Sequence, residues 1–122
     1  MILGIGTDII EIERIRRAVS REHFRRRVFT ETEKNYCESR GAQSAASYAA
    51  RFAAKEAFFK ALGTGIVTSL TEVEIQNDAA GQPQIFLRGS AEILAAEKRV
   101  GKIFVSLSHS REYATAVALL TD

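Results

Sequence analysis

Residues 48–65 read YAARFAAKEAFFKALGTG. Alanine and long side chains dominate residues 48–62, a composition that favours an α-helix, and glycine directly after this stretch is a common helix stop. We expect Ser44 or Ser47 to cap the N-terminus of this helix. Because most of its residues are apolar, the helix should be buried.

The chain begins with a predicted strand over residues 2–10, which are mostly β-branched and apolar. Gly4 and Gly6 interrupt the apolar pattern, and glycine inside a strand indicates that its backbone passes close to another part of the molecule. Asp8 must be paired, bound to a metal or turned to solvent, because an unpaired buried charge is very costly. Asp8 is therefore a candidate functional residue.

Two helices are predicted between this strand and residues 48–62. From about Glu11, a periodicity of roughly 100° per residue places apolar residues on one helix face and arginines on the other. The apolar face contains Ile12, Ile15 and Val19, and the arginine face contains Arg14, Arg17, Arg21 and Arg25. Thr30 and Glu33 have the spacing of a capping box, which predicts a second helix from there to about Arg40.

The residues after Gly65 predict a hairpin, a helix and two further strands. These elements are expected at residues 72–76 and 84–88 for the hairpin, 91–100 for a helix that Gly101 stops, and 103–107 and 113–120 for the strands. Helices and strands mix without the regular alternation of a doubly wound fold. The length of 122 residues fits a single domain, residues 1–122.

The net charge of +2 conceals an uneven distribution. Seven arginines and one glutamate lie between Arg14 and Arg27, which gives +6, while the other ten basic and fourteen acidic side chains give −4. A basic helix face of this strength attracts a polyanion or an acidic protein surface. RNA or DNA binding is the weaker interpretation, because the rest of the chain is acidic.

The composition predicts a cytoplasmic protein that shares surface with a partner subunit. Cys37 is the single cysteine and no secretory leader is evident, so we expect a reducing compartment and a structural thiol. No apolar run approaches the roughly 20 residues that cross a bilayer, so no membrane association is expected. Alanine accounts for 18 of the 56 apolar residues, which leaves few bulky core residues and favours burial against a second subunit.

Glu56 and Lys60 lie four residues apart and therefore share one helix face. An exposed ion pair is the simplest interpretation, but Arg51, Lys55 and Lys60 surround a carboxylate that the apolar context predicts to be buried. That mixture is typical of a metal and phosphate site. Mg²⁺ takes one or two protein carboxylates and completes its shell with phosphate and water oxygens, so Asp8 and Glu56 are sufficient ligands.

His109 lies among serines near the end of a predicted strand, where an imidazole and hydroxyls can donate to a phosphate or a nucleotide. A serine hydrolase with a Ser-His pair is less favoured, because the chain contains no Gly-x-Ser-x-Gly motif.

Taken together, the motifs of the chain cover most of its length. They are Gly4-Ile5-Gly6-Thr7-Asp8-Ile9, Thr30 with Glu33, Arg51-Phe52-Ala53-Ala54-Lys55-Glu56-Ala57, Lys60-Ala61-Leu62-Gly63-Thr64-Gly65 and Ser106-Leu107-Ser108-His109-Ser110. In this order and combination they resemble the short bacterial branch of the phosphopantetheinyl transferase superfamily, the holo-[acyl-carrier-protein] synthases.

The resemblance implies an α+β fold with helices packed on a small, mainly antiparallel sheet. It also implies transfer of the phosphopantetheine arm of coenzyme A to a serine of apo acyl carrier protein, with release of adenosine bisphosphate, in support of fatty acid biosynthesis. Members of this branch are homotrimers with active sites at subunit interfaces. We therefore expect coenzyme A, apo acyl carrier protein and two further copies of the chain as partners.

The resemblance assigns roles to residues of this sequence. Asp8 and Glu56 would hold Mg²⁺, and Lys60 would act on the leaving phosphate, while the proton acceptor could be Glu56 through a water, Asp8 or a metal-bound water. The expected coenzyme A contacts are Arg51, Lys55, Lys60, Gly63, Thr64, Gly65, Ser108 and His109. The expected carrier contacts are Arg14, Arg17, Arg21 and Arg25. A magnesium-dependent hydrolase of pyrophosphate bonds, with water in place of serine, is the alternative activity.

Overall fold

The computed structural model describes all residues from Met1 to Asp122. Its elements are, in chain order, β1 (Ile2–Glu11), α1 (Ile12–Val19), α2 (Glu22–Val28), α3 (Glu31–Glu38), α4 (Ser44–Leu62), β2 (Val73–Asn77), β3 (Pro83–Leu87), α5 (Gly89–Glu97), β4 (Lys102–His109) and β5 (Tyr113–Thr121). Three strands form an antiparallel sheet in the order β1-β5-β4, and β2 pairs with β3 in a separate antiparallel hairpin. The expected α+β fold on a small antiparallel sheet is confirmed. None of the helices has the length and apolar character that a bilayer span needs.

The helix α4 lies directly on β1, and two glycines make this contact possible. A Cβ atom on Gly4 would overlap the carbonyl oxygen of Ala61, and one on Gly6 would overlap the carbonyl oxygen of Ala57. Any side chain at either position would therefore push the helix away from the strand. The predicted close approach of the β1 backbone to another part of the molecule is confirmed.

The two faces of the three-stranded sheet differ in burial. Its inner face packs against α4 through small residues of β5, namely Ala114, Ala116 and Ala118, which are all buried. Its outer face carries exposed apolar side chains on all three strands, namely Ile5, Ile9, Val117 and Phe104. The outer face is therefore an apolar surface that the single chain leaves uncovered.

A fully buried ion pair joins α3, α4 and β2. Glu33 and Lys55 have no exposed side-chain surface, and Lys55 Nζ donates to Glu33 Oε1 over 2.8 Å. The remaining Lys55 protons go to the carbonyl oxygens of Leu70 and Val73, at 2.9 and 2.7 Å. Glu33 also accepts from the backbone amide of Ile75 at 2.8 Å. Every charged atom of the pair is thus hydrogen-bonded, as burial requires.

The predicted capping box is confirmed, and it shares a carboxylate with this ion pair. Thr30 Oγ1 accepts from the backbone amide of Glu33, while Glu33 Oε1 accepts from the backbone amide of Thr30. Glu33 therefore starts α3 and anchors it to α4 through the same side chain.

The single arginine helix predicted from Glu11 onward is instead two helices. The chain leaves the helical conformation at Arg21, whose backbone is extended with φ −97° and ψ 121°. This break allows Phe24 of α2 to turn inward, where its ring lies 6.1 Å from that of Phe52 and 6.2 Å from that of Phe29. Because α1 and α2 are separate helices, the arginines do not form the continuous face that one straight helix would have presented.

Two of the predicted helix boundaries are also wrong. The helix α4 begins at Ser44 after Gln43, and no side chain caps it, so neither Ser44 nor Ser47 has that role. The helix α5 ends before Gly101, and Arg99 takes the left-handed conformation there with φ 62°. Gly101 serves packing instead, because a Cβ at this position would press on the backbone of Asp122.

Replacing Glu33 with alanine should lower the free energy of unfolding by about 3–5 kcal/mol, because it leaves the buried Lys55 ammonium without its partner. Urea denaturation measures this loss. Glu22→Ala is the matched control, since it removes an exposed ion pair with Arg26 and should change stability by less than about 0.5 kcal/mol. Equal, small losses in the two variants would contradict the role given to Glu33.

Candidate active site

A single accessible stripe runs along the second half of α4. From Tyr48 to Leu62, every residue is buried except Phe52, Glu56 and Lys60. These three are four residues apart, so they follow one another at steps of about 6 Å along the helix axis. The stripe thus presents an aromatic ring, a carboxylate and an ammonium group in sequence.

Asp8 of β1 contacts this stripe through Lys60. Lys60 Nζ donates to Asp8 Oδ1 over 3.1 Å and to the carbonyl oxygen of Thr7 over 3.0 Å. The Asp8 side chain is only 10% exposed, whereas that of Lys60 is 55% exposed. Asp8 lies on the same strand face as Gly6, so the close contact of β1 with α4 brings its carboxylate to the helix.

The electrostatics of Glu56 show that the two carboxylates are coupled. Burial raises the pKa of Glu56, and the negative charge of Asp8 raises it further, while Lys60 and Arg14 act in the opposite direction. A carboxylate held near a second one in a partly desolvated place binds either a proton or a cation favourably. The pair is therefore suited to holding a hard divalent ion.

The turn after α4 leaves room beside its backbone. Gly63 and Gly65 have left-handed conformations with φ of 80° and 70°, and nothing lies within 4 Å of the position that a Cβ would take on either. Gly63 ends the helix as the sequence predicts. Thr64 is half-buried between them, at the Lys60 end of the stripe.

The structure removes Lys55 from the expected coenzyme A contacts. All of its hydrogen-bonding capacity is used inside the protein, and its side chain has no exposed surface. Glu56 follows Lys55 directly, but successive helix residues point about 100° apart, so the two side chains lie on different faces of α4. The burial of Lys55 is not evident from the sequence, because its partners include carbonyl oxygens of a distant segment.

Arg51 is also buried, with 3% of its surface exposed. Its guanidinium group lies 4.2 Å from the centre of the Tyr36 ring and donates to Asn77 Oδ1 over 3.1 Å. The structure therefore places Arg51 in a packed cluster beside α3 and not on the stripe that carries Glu56.

Ser108 and His109 lie at the end of β4, away from the Asp8–Glu56 pair. His109 lines a cavity of about 410 Å³ together with Arg16, Arg111 and Ala46. Since Ala46 precedes Glu56 by ten residues of α4, this cavity is about 15 Å from the carboxylate pair along the helix. Ser108 points to the outer sheet face, because its strand partner is Thr115. Two further cations line this region that sequence patterns did not indicate, Arg111 and Arg16, the latter paired with Glu13 over 2.9 Å.

Comparison with known proteins identifies the family. A model of the 4'-phosphopantetheinyl transferase superfamily matches residues 4–118. The chain belongs to this superfamily. The resemblance inferred from the motifs is thereby confirmed.

Relatives within the superfamily match along almost their whole length. The holo-[acyl-carrier-protein] synthase of Fusobacterium nucleatum is 46% identical, with 98% of this chain and 99% of the relative covered. The corresponding synthase of Geobacter metallireducens is 45% identical, with 98% of each covered. Among solved structures, the synthase of Neisseria meningitidis aligns over 100% of both chains with a TM-score of 0.91 and 33% identity. That of Helicobacter pylori, in complex with coenzyme A, covers 96% of this chain and 99% of its own, with a TM-score of 0.84 and 30% identity.

The arginines predicted to contact a carrier protein form a surface next to the stripe. Arg14 and Arg17 are exposed on α1, Arg21 is exposed between the helices, and Arg25 is half-buried on α2. Arg14 is close enough to Glu56 to lower the pKa of that carboxyl. We call these four residues the basic surface. The basic surface spans α1, α2 and the residue between them, and it adjoins the carboxylate pair through Arg14.

Cys37 is completely buried, and burial raises its pKa to about 12. Because the thiolate is the reactive form, a disulfide reagent at pH 8 should leave the native protein unmodified for hours and should label it rapidly in 8 M urea. Rapid labelling of the folded protein would contradict the structural role of this thiol.

Proposed function

We propose that the chain transfers the phosphopantetheine group of coenzyme A to a serine of apo acyl carrier protein, in support of fatty acid biosynthesis. The observation that carries the proposal is the Asp8, Glu56 and Lys60 arrangement beside a basic surface. Relatives named for this activity cover nearly the whole chain, so residues 1–122 would act as one transferase domain.

Asp8 and Glu56 are the residues that would hold Mg²⁺. They fit this ion because both offer hard oxygen ligands and because a cation between them relieves what raises the pKa of Glu56, which is burial first and the charge of Asp8 second. When bound, the ion would neutralise charge on the pyrophosphate of coenzyme A and orient the attacked phosphorus.

Lys60 would stabilise the leaving group. Its side chain is more than half exposed and is tied only to Asp8 and a carbonyl oxygen, so its ammonium group can turn toward phosphate oxygens. In the reaction, the serine oxygen of the carrier bonds to the phosphorus that bears pantetheine, and the bond from that phosphorus to the adenosine-side oxygen breaks. Lys60 would then donate to the phosphate of adenosine bisphosphate as charge develops there.

Glu56 is the best-supported acceptor for the serine proton, through an intervening water. Its carboxylate lies on the only accessible stripe of this part of α4, where a water can bridge it to the serine hydroxyl. The proton therefore leaves the serine hydroxyl and ends on the Glu56 carboxylate.

A homotrimer with active sites between subunits accounts for two features of the chain. The exposed apolar outer face of the sheet is suited to burial against another copy. The region of His109, Arg16 and Arg111, with Ser108 at the same strand end, lies about 15 Å from Glu56 along α4, and in the proposed trimer a neighbouring copy would bring its own such region to the nucleotide. The open Gly63 to Gly65 turn would approach the same nucleotide from the first subunit.

Mass spectrometry of the carrier tests the proposal directly. Purified protein, Mg²⁺, coenzyme A and apo carrier should give a carrier that is heavier by one phosphopantetheine group, together with adenosine bisphosphate. Cleavage of coenzyme A in the absence of carrier, with no gain of carrier mass in its presence, would instead identify a pyrophosphate hydrolase.

Glu56→Gln should reduce the transfer rate by about 10²–10⁴-fold, because it removes both a metal ligand and the proposed proton acceptor. Glu31→Gln is the matched control, since Glu31 is paired only with Lys34 on the surface, and it should behave as wild type. A rate near wild type for Glu56→Gln across a magnesium titration would show that the assigned role is wrong.

Reversing charge on the basic surface should weaken binding of the acidic carrier. Arg17→Glu combined with Arg21→Glu should raise the carrier KM by about 10-fold or more and leave the coenzyme A affinity unchanged. Lys98→Glu combined with Arg99→Glu makes the same charge change at two exposed residues after α5 and should have a small effect. Equal damage by both double variants would contradict a localised docking surface.

A further inference from the structure

Gly6 of β1 lies against the part of α4 that carries Glu56 and Lys60. A Cβ atom on Gly6 would overlap the carbonyl oxygen of Ala57 and would lie 2.6 Å from the amide nitrogen of Ala61. It would also lie 2.9 Å from the Cβ atom of Lys60. Because Ala57 directly follows Glu56, the strand backbone touches the helix at the residue next to a candidate metal ligand.

The second candidate ligand, Asp8, is fixed by the same contact. It follows Gly6 by two residues of β1, so the two positions share one face of the strand. The pairing of β1 with β5 places the buried residues Ala118 and Ala116 opposite Gly6 and Asp8. The strand is therefore held by β5 along one edge and by the backbone of α4 on one face.

Two carboxylates at a fixed separation distinguish divalent ions by size. Mg²⁺ demands a nearly ideal octahedron with ligand distances of about 2.1 Å and needs only one or two protein carboxylates. Ca²⁺ takes six to eight oxygen ligands at about 2.3–2.6 Å and is bound by sites that are flexible. A strand and a helix in backbone contact cannot adjust their separation to a larger ion, so such a pair favours the smaller one.

We propose that Gly6 is a positioning residue that makes the Asp8–Glu56 pair selective for Mg²⁺ over larger divalent ions such as Ca²⁺. This inference rests on the proposed function and deepens it. The missing side chain at Gly6 sets the distance between β1 and α4, and that distance sets the separation of the two carboxylates. A glycine needed only for packing would affect stability and not the choice of ion.

A competition experiment with Mn²⁺ measures the choice of ion directly. Mn²⁺ takes octahedral oxygen ligands as Mg²⁺ does, and its electron paramagnetic resonance signal reports the fraction bound to protein. Wild-type protein without coenzyme A should bind Mn²⁺, and Mg²⁺ should displace it at a concentration about 10-fold lower than Ca²⁺ needs. The measurement reports binding of the ion to the chain itself and requires no turnover.

Variants that change the separation of the carboxylates should change this selectivity. Gly6→Ala pushes the strand away from the helix and should weaken Mg²⁺ binding by about 10-fold or more, and Ca²⁺ binding by less. Asp8→Glu alone should also weaken Mg²⁺ binding by about 10-fold, because the fixed separation leaves no room for a longer side chain. Combined with Gly6→Ala, however, Asp8→Glu should restore most of the lost Mg²⁺ affinity, since one more methylene group spans the wider gap.

Gly101→Ala is the matched control. A Cβ atom on Gly101 would press on the backbone of Asp122, which is six residues along the chain from Ala116, the strand partner of Asp8. This variant should lose stability as Gly6→Ala does and should bind Mg²⁺ and Ca²⁺ as the wild type does.

Three results would overturn the proposal. They are wild-type protein that binds Mg²⁺ and Ca²⁺ equally well, wild-type Mg²⁺ affinity in Asp8→Glu, and a parallel loss of both ions in Gly6→Ala that Asp8→Glu does not repair. The first two do not depend on the folding of Gly6→Ala. Wild-type protein that binds no Mn²⁺ would instead contradict the metal ligands of the proposed function itself.

Discussion

The direct contact between the backbones of β1 and α4 is the constraint on which the rest of the structure depends. It exists because Gly4 and Gly6 have no side chains where the carbonyl oxygens of Ala61 and Ala57 lie. Two residues after Gly6, on the same face of the strand, Asp8 is therefore held at the surface of the helix and reaches Lys60. A longer distance between strand and helix would separate the carboxylate pair, so the packing of small residues sets the spacing of the candidate site.

The opposite side of α4 is fixed by a different kind of interaction. Lys55 and Glu33 form a buried, fully hydrogen-bonded pair that ties the helix to α3 and to the beginning of β2. Removing one charge of such a pair is costly, so the helix cannot rotate about its axis without breaking it. Backbone contact on one side and an ion pair on the other leave only the stripe of Phe52, Glu56 and Lys60 accessible. Lys55 and Glu56, which are neighbours in one motif, thus differ in role. Lys55 has a structural role, and Glu56 has the proposed chemical role.

Local patterns predicted most of the elements, and the errors arise where long-range contacts decide. The capping box at Thr30 and Glu33 is a local arrangement, and the sequence predicts it correctly. The break at Arg21 is not local, because it depends on Phe24 packing against Phe52 in a helix far along the chain. The burial of Lys55 likewise depends on carbonyl oxygens of Leu70 and Val73. Composition places Lys55 and Lys60 in the same cationic group, and only the fold separates them.

Strand register explains why the motifs do not form one site in a single chain. Asp8 lies opposite Ala116 of β5, whereas His109 lies opposite Ala114, so His109 is displaced toward the other end of α4 and by two strands across the sheet. Arg16 and Arg111 line the cavity around His109, whereas the cations that act on Glu56 are Lys60 and Arg14. A substrate with phosphates at two separated positions needs both regions. The apolar outer face lies on the strands that connect these regions, and the proposed homotrimer would bury this face against a second copy, whose cations would then complete the site.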